Sequence, residues 1–145
     1  MVPQPNAVRL LYSSGDLGGA GLSPARLLKT SLRLRPDRIV PQELRDPDAA
    51  FAFVNEGTTG HPGSLTTLHG EDAPQAARRL FALSKGSDEG KNVADDTLVA
   101  MLAAVVDVII PVEVVEGGGR ALREVWLADD AARRGESFGD LLGTL

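Results

Sequence analysis

The chain has 145 residues, 43% of them hydrophobic, no cysteine and a formal net charge of −5. That length fits one domain or part of one, with enough apolar residues to bury a core. The acidic balance argues against a nucleic-acid partner, which a basic surface binds by releasing counterions, and the lack of cysteine excludes disulfides and thiolate metal sites and fits a reducing compartment.

Met1 to Pro5 carries no basic stretch followed by an apolar run, so no export signal is visible there. From Asn6 to Tyr12 the chain alternates, with Val8, Leu10 and Tyr12 on one side and Arg9 on the other, which predicts a half-buried strand. Ser13 to Gly21 is rich in Gly and Ser and predicts a loop. Ser23-Pro24 opens a helix with a capping hydroxyl and a proline in the first turn. Leu28 and Leu32 lie on its inner face, and it must end before Pro36, because the residue preceding a proline is pushed out of the helical region.

Asp37 to Val40 predicts a short strand leading into Gln42-Glu43-Leu44-Arg45. Asp46-Pro47 repeats the cap-plus-proline signal, and the following helix should bury Ala50, Phe53 and Val54. Thr58 to Gly63 predicts a loop, and Ser64 to His69 a second alternating strand with Leu65, Thr67 and His69 on one face. Asp72 to Ser84 predicts a helix whose inner face is Ala77, Leu80, Phe81 and Ser84.

Lys85 to Asn92 is polar and glycine-containing, a loop, and Leu98, Met101, Leu102 and Val105 mark one face of the next helix. Leu98 to Val115 is the most apolar stretch, but Asp107, Pro111 and Glu113 interrupt it. A bilayer-crossing helix needs about 20 mostly apolar residues, so a buried helix running into a buried strand is expected instead. Val106 to Val115 and Leu122 to Leu127 predict strands joined across Gly117-Gly118-Gly119 as a hairpin. The division expected is 1–128 for the domain and 129–145 for a tail with a short helix and a frayed end.

Helices alternating with short strands indicate an α/β layered fold. The opening strand has no companion before it, whereas a self-contained α/β domain begins with a strand and its phosphate loop; the expectation is a chain cut at its front.

Two stretches carry candidate chemistry. In Arg35-Pro36-Asp37-Arg38-Ile39-Val40-Pro41-Gln42-Glu43-Leu44-Arg45, a carboxylate follows an apolar run. Such a group sits at the sheet edge where α/β folds bind ligands and can orient water or hold magnesium in nucleotide hydrolysis. Alone such a residue is usually a solvated strand end. In Thr59-Gly60-His61-Pro62-Gly63-Ser64-Leu65-Thr66-Thr67-Leu68-His69-Gly70, two His, three Thr and a Ser crowd a loop and a strand. These groups can donate hydrogen bonds to phosphate oxygens, and an ordinary polar turn with a hydrogen-bonded core histidine is the other reading. With no HExxH helix, no cysteine and two histidines in all, a zinc site is not expected.

The order of these segments, Leu-Arg-Leu-Arg-Pro-Asp-Arg-Ile, then Glu-Leu-Arg, then Thr-Gly-His-Pro-Gly-Ser, then Thr-Leu-His, resembles the secretion traffic ATPases, in particular the VirB-type branch of type IV secretion and conjugation. Asn6 to Tyr12, Val106 to Ile110, Glu124 to Leu127 and the tail from Arg133 to Leu142 extend the resemblance over nearly the whole chain. It implies the C-terminal part of a RecA-like P-loop NTPase domain. In that family the first stretch is the Walker B element and the second the histidine box. Glu43 would be the carboxylate that orients the attacking water, and His69 would face the γ-phosphate. Thr59, Gly60, His61, Gly63, Ser64 and Thr67 would shape the box, and Arg45 would pair with a neighbouring acid. Arg35 and Arg38 read equally as surface or interface charges.

Two departures stand out. Pro41 and Gln42 precede Glu43 where relatives carry aliphatic or small residues, and a proline cannot donate to a sheet ladder. No Gly-x-x-x-x-Gly-Lys-Ser/Thr occurs in the 145 residues, so the phosphate-cradling loop and its lysine are not among them. The parent protein implied is a hexameric ring on the cytoplasmic face of the inner membrane, using Mg2+ and ATP and working with other secretion components. This chain alone is expected to bind neither cofactor tightly and to be inactive. The alternatives are a non-catalytic module that docks on a secretion ring, and a fragment of a related pilus assembly or retraction ATPase.

Overall fold

The computed structural model describes residues 6–11 and 22–143. The helices begin where the local capping chemistry places them. Helix α1, Pro24–Ser31, starts at Ser23, whose hydroxyl accepts a hydrogen bond from the Arg26 N–H, and it runs into a 3-10 turn at Leu32–Leu34 before Arg35 breaks it with φ of 52°. Helix α2, Pro47–Gly57, is capped by Asp46, and helix α3, Ala73–Lys85, by Asp72; each carboxylate accepts from the N–H three residues on. Helix α4 covers Asp95–Val105.

These helices bury the faces that their spacing predicts. Leu28 of α1, Ala50, Phe53 and Val54 of α2, Ala77, Leu80 and Phe81 of α3, and Leu98 and Leu102 of α4 meet in one core. Helix α2 packs between α1 and α3, and α4 touches both α2 and α3. Ser84, on the inner face of α3, is fully buried with its hydroxyl unpartnered among the described residues.

The strands depart further from expectation. Residues 6–11 form no strand, and Val8, Leu10 and Leu11 are exposed. An alternating segment becomes a strand only when a neighbour takes its hydrogen bonds, and none does among the described residues. Tyr12 and the expected loop over 13–21 lie outside those residues.

Residues 37–40 and 64–69 are extended but form no regular ladder. They run alongside each other in the same direction, since the contacts advance together. Leu65 N–H donates to the Ile39 carbonyl at 3.2 Å and Leu44 N–H to the Thr67 carbonyl at 2.9 Å. Side chains make the remaining links: the Ile39 N–H donates to Ser64 Oγ at 3.0 Å, and Thr67 Oγ1 donates to the Gln42 carbonyl at 2.8 Å. Hydroxyls replace ladder bonds, so Pro41, which has no N–H to give, is accommodated between them.

Four short strands follow: β1 at Val108–Ile109, β2 at Val112–Val114, β3 at Arg120–Leu122 and β4 at Trp126–Leu127. β2 pairs antiparallel with β3 and β1 with β4, so the hairpin across the glycines is present. Gly117 and Gly118 take φ of 92° and 80°, the left-handed region that a side chain disfavours. The hairpin is not the buried strand expected. Val112, Val114 and Leu122 of the β2–β3 pair are exposed, as are Val108, Ile110 and Val125, whereas the β1–β4 pair turns Ile109 and Trp126 to the core.

The tail holds two helices, α5 at Ala128–Arg133 and α6 at Phe138–Leu142. Phe138 and Leu142 enter the core against α3 and α4, and Phe138 meets Trp126 edge to face with ring centroids 6.0 Å apart. Among the described residues no helix is long and apolar enough to cross a membrane.

Candidate functional site

The geometry around Glu43 follows from two buried leucines. Leu44 is fully inside the core, and Leu68 packs partly against it. In extended backbone, successive side chains point to opposite sides. Burying Leu44 therefore turns Glu43 and Arg45 together to the other side, and anchoring Leu68 does the same for Thr67 and His69. Because the two segments run parallel, Glu43 and His69 arrive side by side.

Arg45 Nε lies 2.7 Å from Glu43 Oε1, and His69 Nε2 lies 3.0 Å from the same oxygen. The Glu43 side chain is 24% exposed, whereas Arg45 and His69 are 73% and 79% exposed. Oε1 itself is shielded from solvent and is held by the close approach of these two nitrogens. The Arg45 guanidinium lowers the Glu43 pKa below the ordinary glutamate value; burial opposes this, and His69 adds a smaller pull in the same direction. Both nitrogens meet Oε1, which leaves Oε2 outside the two contacts.

The other box residues form the turn that carries this segment away from α2. Thr58 and Thr59 hydroxyls donate back to the carbonyls of Asn55 and Glu56, closing the helix end. Gly60 has φ of 132° and Gly63 φ of 75°, and His61, between them, holds φ of 74°, which is uncommon for a residue with a side chain. The His61 ring Nδ1 is 3.4 Å from the Glu56 carbonyl, and its own carbonyl accepts from the Ser64 hydroxyl at 2.7 Å. Arg38 passes across Gly63: a Cβ there would lie 2.8 Å from Arg38 Nε.

Of the residues singled out in the sequence, Glu43, Arg45 and His69 thus form one cluster. Thr67 and Ser64 tie its two segments together, and Thr59, Gly60, His61 and Gly63 shape the approach. An open depression beside His69 is lined by Gly70, Glu71, Gln75 and Arg79. Gln75 and Arg79 lie on α3 and carried no local sequence signal; only the packing of α3 brings them next to His69. Among the described residues no group of three or more His, Cys, Asp and Glu is placed to hold a metal ion.

The mixed helix-and-strand arrangement is part of the RecA-like fold of P-loop ATPases. It superposes on the crystal structure of the VirB11 ATPase from the Brucella suis type IV secretion system with a TM-score of 0.67 and 33% identity, covering 76% of this chain and 33% of that one. The family model "Type II/IV secretion system protein" matches residues 4–128, and the chain belongs to that family. It is 48% identical over 142 residues to the VirB11 protein of Agrobacterium fabrum, covering 98% of this chain and 41% of that protein. It is 41% identical over 117 residues to the VirB11 type IV secretion protein of Bartonella henselae, covering 81% of this chain and 33% of that one. The chain thus spans about two fifths or less of these relatives' lengths.

Proposed function

We propose that the chain supplies the water-orienting and γ-phosphate-facing side of an ATP-hydrolysing site in a type IV secretion traffic ATPase. The observation that carries this is the Glu43 carboxylate, partly shielded and flanked by Arg45 and His69 where two parallel segments end. In this reading Glu43 belongs to a Walker B element and residues 59–69 form a histidine box.

Hydrolysis joins a water oxygen to the γ-phosphorus while the bond to the β–γ bridging oxygen breaks, giving ADP and phosphate. Catalysis of this step is mostly positioning and electrostatics. A glutamate with a lowered pKa is a poor proton store but a good hydrogen-bond acceptor, so Glu43 orients the water through Oε2 and takes up little of its proton. His69, far more exposed than Glu43, is free to turn its imidazole to a phosphate oxygen. Magnesium bound with ATP would supply neutralisation of the phosphate charge.

The phosphate-gripping loop would come from sequence corresponding to the earlier part of the relatives. The working unit in this reading is a hexameric ring at the cytoplasmic face of the inner membrane, where it powers secretion, conjugative transfer or pilus assembly alongside other secretion components. The name of the Bartonella henselae relative, a type IV secretion system protein, supports the secretion role.

The test is to join the preceding part of Agrobacterium VirB11 to this chain and measure phosphate release. Turnover by the joined protein, with none from the 145-residue chain and only weak ATP binding to it by calorimetry, is the expected result. Submicromolar ATP binding to the chain alone would overturn the division of labour.

A further inference from the structure

The proposed site leaves open why an exposed arginine should stand two residues from a water-orienting glutamate. A surface arginine ordinarily remains solvated, and an exposed ion pair contributes little to stability. Here the pair is not arbitrary. Burial of Leu44 forces Glu43 and Arg45 to the same side, and Arg45 Nε comes within 2.7 Å of Oε1, the oxygen that is shielded from solvent. His69 meets that same oxygen from the neighbouring segment. A carboxylate pinned through one oxygen has its second oxygen fixed in direction.

We propose that Arg45 is a positioning residue, which clamps Glu43 through Oε1 so that Oε2 faces the attacking water while His69 leaves for the phosphate. This rests on the reading of Glu43 given above and adds a second fixed point to it. Two contacts to one oxygen make the arrangement tolerant of losing one. When His69 turns away, Arg45 remains and Glu43 stays ionised and oriented. The charged groups that face Glu43 are Arg45 on its own segment and His69 on the next; both favour the carboxylate, and burial opposes it.

Two readouts separate this proposal from the site assignment itself. In the 145-residue chain, the Glu43 carboxyl is followed by carbon-13 NMR as pH is varied. Arg45→Gln should move its titration up toward the ordinary glutamate value, and Arg45→Lys should restore part of the lowering. His69→Ala should move it less than Arg45→Gln does. In the joined protein, Arg45→Gln should cut kcat about tenfold or more with KM for ATP nearly unchanged, because it disturbs orientation rather than binding. The acid limb of the pH–rate profile should shift upward with it. An unchanged Glu43 titration in Arg45→Gln would overturn the clamp whatever Glu43 does in catalysis. A shifted titration with unaltered kcat would overturn its positioning role. Loss of the Glu43 assignment would show separately, as full turnover in Glu43→Gln.

Discussion

At the residue scale, two sites show opposite consequences of close packing. After α3 the chain turns through Ser87 and Gly90. The Ser87 hydroxyl donates to the Ser84 carbonyl at 2.8 Å and accepts from the Gly90 N–H at 2.8 Å. A Cβ on Gly90 would fall 1.9 Å from the Ser84 carbonyl oxygen, which is backbone and cannot rotate away. Gly90→Ala should therefore cost about 3 kcal/mol, read as a lowered denaturation midpoint, because a well-packed turn has no low-cost relaxation. Ser84 is the contrast. Its buried hydroxyl lacks a partner among the described residues, so Ser84→Ala should leave stability unchanged or raise it. A large loss in Ser84→Ala would mean that the hydroxyl does have a partner.

At the element scale, the helices and the glycine hairpin were legible in the sequence, and the earlier strands were not. Ser23-Pro24, Asp46-Pro47 and Asp72 are local signals, since a cap and the N–H it binds lie within three residues. Residues 6–12 and 64–69 alternate as strands should and 37–40 was expected to be a short strand, and 64–69 does present Leu65, Thr67 and His69 on its exposed face. A ladder, however, depends on a partner distant in sequence, which alternation cannot reveal. The cluster of Glu43, Arg45 and His69 was legible from its motifs, but the shared oxygen was not, because it follows from the burial of Leu44 and Leu68. The tail was expected to hold a short helix and a frayed end; Ser137 and Asp140 form a capping box that starts α6, and residues 144–145 lie outside the described residues. The Ser137 N–H, then its hydroxyl, donate to Asp140 and lower its pKa below the ordinary aspartate value. A depressed carboxyl stabilises the fold above its unfolded pKa, about 3.9, and that contribution is lost as pH falls through the folded value. Asp140→Ala should thus melt below wild type at neutral pH, with the gap closing in acid. A gap independent of pH would assign the loss to packing instead.

At the scale of the whole molecule, the chain has a helical core and an exposed β2–β3 hairpin. Val114 is 71% exposed on the β2–β3 pair, and Val112 and its cross-strand partner Leu122 are exposed with it. Clustered exposed aliphatic side chains on a short sheet favour association. The 145-residue chain should therefore self-associate with rising concentration in light scattering, and Val114→Lys should reduce this without lowering the melting temperature. A monodisperse monomer at all concentrations would show that the hairpin face tolerates water as it stands. The most direct measurement for the account as a whole is phosphate release by the joined protein carrying Glu43→Gln, with ATP affinity measured in parallel. Removing the charge while keeping the shape should lower turnover at least a hundredfold, on the order of a lost catalytic group, with ATP binding retained. Turnover near that of the unaltered joined protein would contradict the assignment of Glu43 as the water-orienting carboxylate.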